Sequence, residues 1–150
     1  MEVIMTEQIV VKYVGSNPLV QKHEGDAGMD LRSVKRIVLT PMERIVVPTN
    51  LYVEIPIGYE GQVRPRSGMS IKHGVTVINA PGTIDAGYRG EVGVALINLN
   101  CNYFVIEIGD RIAQLVICPV ANVFLVKAET REELSDTTRG DGGFGSTGHS

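Results

Sequence analysis

The sequence predicts an all-β domain, a sandwich or barrel of short strands with one short helix. Three observations carry this. Glycine is frequent, 17 of 150 residues, and recurs as punctuation along the chain. Between the glycines lie short runs rich in Val and Ile, bounded by turn signals. No stretch of roughly 10–15 residues has a clean helical period with caps at both ends.

The elements follow in order. Ile45-Val46-Val47, Leu51-Tyr52-Val53, Val75-Thr76-Val77-Ile78 and Val123-Phe124-Leu125-Val126 read as strands, because β-branched and aromatic side chains suit a pleated surface. Ser67–His73 reads as the short helix, with Ser67 as N-cap and Gly74 in the left-handed position after the last turn. Thr130-Arg131-Glu132-Glu133-Leu134 carries a weaker turn of helix. Residues 92–99 and 112–118 are apolar on both alternating faces, with Gln114 the polar interruption of the second. A strand of that kind is covered twice. The second cover is either another subunit or a second sheet of the same chain, and the pattern leaves both open. The last fifteen residues contain five glycines, one aromatic ring, and no Val, Ile or Leu. They cannot bury enough apolar area to order themselves. The expected division is a β domain over residues 1–135 and a Gly-rich flexible arm over 136–150. Arg139, Phe144, Ser146 and Thr147 suit an arm that orders on a phosphate-bearing ligand.

Composition excludes several classes. The hydrophobic share of 43% and charged share of 21% are those of a globular chain. The net charge of −3 argues against a general nucleic-acid binder, which needs a basic excess. No apolar run approaches the ~18 residues of a membrane helix. The segment Met1-Glu2-Val3-Ile4-Met5-Thr6-Glu7 has neither a basic stretch nor an apolar core, so the expectation is a cytoplasmic or otherwise intracellular protein, not a secreted one. Cys101 and Cys118 sit among apolar neighbours and are expected as reduced core thiols. His23, His73 and His149 are widely spread, so no zinc site is expected.

Four segments carry candidate chemistry. Arg64-Pro65-Arg66-Ser67-Gly68 runs from a strand into the short helix, where unpaired N–H groups and an arginine suit a phosphate; a plain cap with surface arginines is the alternative. In residues 79–91, Pro81-Gly82 makes a tight turn between extended arms, a hairpin whose backbone could read the edge of a small flat ligand. Asp85 sits there among Ile84, Ala86 and Gly87, a setting expected to desolvate it, raise its pKa and let it take a proton from water. A turn aspartate bonding its own backbone is the other reading. Asp30 and the Asp110-Arg111 pair are strand-end charges that either face a hydrated Mg²⁺ or pair with arginine. Gly140 to Gly145 fits the dinucleotide pattern GxGxxG but lacks the following helix and acidic residue, so that reading fails.

Taken in order, these segments resemble the five motifs of the trimeric dUTP pyrophosphatase (dUTPase) family. They are Ala27-Gly28-Met29-Asp30-Leu31, Pro65-Arg66-Ser67-Gly68-Met69, residues 79–91, Gly109-Asp110-Arg111-Ile112-Ala113-Gln114-Leu115, and residues 139–148. Met69-Ser70 and Gly87 depart from the commoner family residues. The resemblance implies a homotrimer of jelly-roll-like β subunits that hydrolyses dUTP to dUMP and pyrophosphate with Mg²⁺ on the triphosphate. It implies Asp85 as general base, Arg66, Ser67 and Gly68 on the phosphates, and Gln114 beside the α-phosphate. The backbone around Asn79, Gly82, Thr83 and Ile84 would read uracil, and Tyr88 would exclude a 2′-hydroxyl. Phe144 would stack on the base, while Arg139, Gly145, Ser146 and Thr147 close over the terminal phosphate. Asp30 would support the hydrated metal or a neighbouring arginine. No nucleic acid and no membrane is expected as partner. A dCTP deaminase-like enzyme and a catalytically inactive nucleotide-sensing or protein-binding trimer are the alternatives.

Overall fold

In the computed structural model the described residues are 8–143. They form eleven strands, one α-helix and one 3₁₀ turn. The strands before the helix are β1 (Lys12–Gly15), β2 (Gly28–Arg32), β3 (Ile37–Leu39), β4 (Arg44–Val47), β5 (Leu51–Glu54) and β6 (Tyr59–Arg64). The helix α1 (Ser67–His73) leads into β7 (Val75–Val77), β8 (Gly82–Ile84), β9 (Val94–Asn98), β10 (Phe104–Ile106) and β11 (Arg111–Pro119). The 3₁₀ turn covers Arg131–Glu133, where the sequence suggested a weak helical turn.

All pairings are antiparallel. The largest sheet runs β2-β11-β6-β8, a second runs β4-β9-β7, and β1 with β5 and β3 with β10 form two-stranded ribbons. Period-2 patterning explains most of them. Leu51 and Val53 of β5 are buried while Tyr52 and Glu54 face outward. Val94 and Leu96 of β9 point into the core, and Ala95 and Ile97 of its other face are half-buried. Strand β11 breaks the alternation, with Ile112 and Ala113 both buried in succession. Its pairing with β2 slips between Arg111 and Ala113, and such a bulge re-phases the two faces. Beyond it Ala113 and Leu115 face the core, and Gln114, Val116 and Cys118 share the other face.

The helix spans Ser67–His73 as expected, but its cap falls one residue earlier than the sequence suggested. Its N-cap is Arg66, in extended conformation, and Ser67 is the first helical residue. The Arg66 carbonyl accepts the first helical bond from Ser70 N–H (3.1 Å), so the half-in position falls on the arginine. Gly74 closes the helix at φ 67°, as predicted. Two other expectations fail. Val123, Phe124, Leu125 and Val126 form no strand and are exposed, because no neighbour among the described residues offers them a ladder. Cys101 is exposed in a polar turn and Cys118 half-buried; both thiols are free, but neither is a core residue. Among the described residues no helix is long and apolar enough to cross a membrane.

Asn98 is the polar pivot of the core. It is fully buried, and its amide donates to the Leu39 carbonyl (3.0 Å) and the Asn102 carbonyl (2.8 Å). Its side-chain oxygen accepts from Asn100 N–H (2.9 Å). Truncation leaves three backbone groups short of a partner. Asn98→Ala is expected to lose roughly 2–4 kcal/mol in urea unfolding with an unchanged slope. A loss below about 0.5 kcal/mol, the ordinary surface range, would show that the three bonds are dispensable.

Candidate active site in two halves

The first half lies where β2, β11 and the start of α1 meet. Asp30 on β2 faces Gln114 on β11, which faces Arg64 on β6. After Pro65 the chain turns into α1 and carries Arg66 back toward Asp30. The Arg66 Nε lies 3.3 Å from Asp30 Oδ1, and the Arg111 Nη1 lies 3.6 Å from Asp30 Oδ2. Arg66 Nη1 also donates to the Arg111 carbonyl (3.0 Å). One carboxylate therefore holds two guanidinium groups side by side at the entrance to the helix. They line a cleft of about 370 Å³ with Lys22, Asp26, Gly28, Ser67, Gly68 and Gln114. Its charged lining is three cations against two carboxylates, a locally positive site in an acidic chain. Ser67 and Gly68 are exposed there, and their N–H groups precede the first helical bond.

Gln114 is fixed within this cleft. Its Nε2 donates to the Pro65 carbonyl (3.0 Å). Its side chain lies across Gly28, where an added Cβ would stand 3.0 Å from Gln114 Cδ and closer still to Oε1. Glycine at 28 therefore keeps the amide in place.

The second half is the turn from residue 79 to 88. The expected hairpin is absent: β7 pairs with β9 and β8 pairs with β6, so the two arms enter different sheets. The Ala80–Pro81 peptide is cis. Asn79 tucks beneath buried Gly82, where a Cβ would stand 3.1 Å from the Asn79 Nδ2. Strand β8 forms an edge of its sheet, so Gly82, Thr83 and Ile84 present one side of their backbone without a ladder partner. A flat ligand with alternating acceptors and donors could pair with such an edge. Asp85 follows, and its carbonyl accepts from Tyr88 N–H (3.0 Å). Asp85 is exposed, not desolvated as expected. It lines a broad surface cleft of about 820 Å³ with Ile57, Tyr59, Glu60 and Pro119.

The two halves do not meet within the protomer. Asp85 follows the residue paired with Gly61, while Gln114 pairs with Arg64. The offset is about 14 Å along the strands and about 10 Å across two strand spacings. Arg139 is exposed, donates from Nε to the Gly142 carbonyl (2.8 Å), and lines neither cleft. Phe144, Gly145, Ser146 and Thr147 lie outside the described residues. Sequence reasoning left Arg111, Lys22 and Gly28 out of the site. Arg111 was visible as half of a strand-end charge pair, but Lys22 had no local signal, since only folding brings its loop to the helix.

Asp30 pairs with two arginines, one of the two roles expected for it. With both oxygens turned to guanidinium groups it is a poor direct metal ligand. Among the described residues no cluster of three His, Cys, Asp or Glu side chains is arranged to hold an ion. The donor set does not fit a cation caged by this chain's own carboxylates.

Comparison with known proteins closes the question of family. A family profile described as dUTPase matches residues 17–148. The deoxyuridine 5′-triphosphate nucleotidohydrolase of Clostridium novyi (strain NT) is 56% identical over 128 residues, covering 85% of this chain and 88% of that protein. The enzyme of the same name from Clostridium kluyveri is 48% identical over 143 residues, covering 94% and 98%. Among solved structures, the Staphylococcus bacteriophage 80alpha dUTPase with dUPNHPP is similar at TM-score 0.83 and 34% identity, covering 96% of this chain and all (100%) of the other. A dUTPase variant from phage phi11 of S. aureus, described with a structural Mg(II) ion, is similar at TM-score 0.76 and 29% identity over 82% and 99%. The fold is accordingly the all-β, jelly-roll-like one that the motifs implied, and the chain belongs to the dUTPase family.

Proposed function

We propose that this protein hydrolyses dUTP to dUMP and pyrophosphate. The observation that carries the reading is the family match, which spans both halves of the site. The geometry supplies the chemistry. Arg66, Arg111 and the N–H groups of Ser67 and Gly68 form a local anion site suited to a triphosphate. Gln114 is held where it can donate to the α-phosphate. The edge of β8 can pair with O2, N3 and O4 of uracil, and a close turn leaves no room for a C5 methyl. Tyr88 lies against the deoxyribose and excludes a 2′-hydroxyl, the group that separates ribo- from deoxyribonucleotides.

Asp85 acts as general base. It takes a proton from water as the water oxygen bonds to the α-phosphorus and the bond to the bridging oxygen breaks, releasing pyrophosphate. Such a reaction depends on positioning and charge stabilisation more than on covalent help from the protein. Mg²⁺ belongs to the substrate in this reading, held by triphosphate oxygens and water. The distance between the halves supports a homotrimer in which Asp85 and the β8 edge of one protomer face the arginine cleft of another. Residues 136–150 form the arm that closes the site. Phe144 stacks on uracil, worth about 1–3 kcal/mol, and Arg139, Gly145, Ser146 and Thr147 cover the terminal phosphate.

The deciding assay is pyrophosphate release from dUTP beside UTP, dTTP and dCTP, with ammonia monitored for dCTP. Release from dUTP alone is expected; ammonia from dCTP would mark a deaminase, and no turnover at all an inactive binding protein. Asp85→Asn should lower kcat roughly 10²–10⁴-fold with dUTP binding retained; a kcat near wild type removes Asp85 from the mechanism. A chain ending at residue 135 should raise KM, lower kcat and keep its unfolding midpoint, whereas normal kinetics would leave the arm without a role. Gly28→Ala should displace the Gln114 amide and lower kcat about tenfold or more, the lower end of a misplaced catalytic contact. If Gly28→Ala lowers kcat equally on a Gln114→Ala background, the effect does not run through Gln114.

A further inference from the structure

Tyr88 is a half-exposed ring on a loop, a poor place from which to measure a sugar unless something holds it. Its hydroxyl donates to the Glu91 carbonyl (2.8 Å). That acceptor is itself anchored: Glu91 Oε1 accepts from Thr49 N–H (3.0 Å) and Asn50 N–H (2.7 Å), on a turn where Asn50 has φ 50°. Buried Thr49 continues the brace by donating its hydroxyl to the Val92 carbonyl. Between ring and anchor lies Gly90. A Cβ built there would stand 2.6 Å from Tyr88 Cζ and 3.0 Å from Cε2, with the hydroxyl oxygen nearer still. The space a side chain would fill is occupied by the tyrosine. The obstructed atoms are the far end of the ring, so an alanine would be relieved by turning Tyr88 off its bond to Glu91.

We propose that Gly90 is a positioning residue for sugar specificity: its missing side chain lets Tyr88 lie down on the backbone and reach the Glu91 carbonyl, which sets the wall that a 2′-hydroxyl would meet. The inference rests on the reading of Tyr88 as the sugar-facing residue. Gly90 touches no substrate in this account, and it acts only through the ring.

The test is the ratio of kcat/KM for dUTP to that for UTP in wild type, Gly90→Ala, Tyr88→Ala and the double variant. Gly90→Ala should lower the ratio roughly tenfold or more, chiefly by letting UTP in. The double variant should have the ratio of Tyr88→Ala alone, because the obstructed partner is gone. An unchanged ratio in Gly90→Ala, while Tyr88→Ala lowers it, overturns the inference. So does a Gly90→Ala effect that recurs in full without the tyrosine ring. If Tyr88→Ala itself keeps the wild-type ratio, the reading of Tyr88 fails first and this inference falls with it. Should Gly90→Ala fold poorly, recovery of its thermal midpoint in the double variant supports the steric link, and no recovery refutes it.

Discussion

The candidate site depends on one carboxylate between two guanidinium groups. Arg66 and Arg111 come from different segments and would repel each other across the short gap that brings them to one cleft. Asp30 faces both, and Arg66 adds a bond to the Arg111 carbonyl. All three side chains are partly exposed, so the net stabilisation is small, in the range of about 0–1 kcal/mol for a solvated pair. The consequence is positional. The pair aligns the exit of β6, the start of α1 and the bulged end of β11, and it leaves both arginines with donors to spare. An incoming anion meets a cationic face already assembled.

The β2-β11-β6-β8 sheet acts as a ruler for the rest. Its register sets Gln114 beside Asp30 and Arg64, and places the β8 edge and Asp85 further along on the far side. Because β8 closes the sheet on one side, its outer backbone groups are left for a ligand or another chain. The same register that builds each half keeps them apart within one protomer. That separation is the observation behind the proposed association of protomers. Among the described residues of its own chain, none encloses Asp85, which is exposed.

Two glycines show how the site is held without extra bonds. Gly28 and Gly90 each lie beneath a polar side chain, Gln114 and Tyr88, whose tip is tied to a backbone carbonyl. In each case a removed Cβ sets the direction of a larger neighbour. Dense packing makes such vacancies effective, since a single methyl in an occupied space must move something.

The all-β class, the short helix and its Gly74 stop were legible in the sequence, because period-2 patterning and turn chemistry are local properties. The make-up of the helix entrance was legible for the same reason: residue types and spacing place an arginine, a hydroxyl and a glycine there. What tertiary structure alone decided is which distant residues share a wall. The bulge that buries Ile112 and Ala113 together, the entry of Lys22 and Arg111 into the cleft, and the divergence of β7 and β8 into separate sheets all depend on pairing between remote strands. Val123 to Val126 show the converse, since strand-forming side chains make no strand without a partner to complete the ladder. Local chemistry names the candidates, but only long-range hydrogen bonding and packing choose their neighbours.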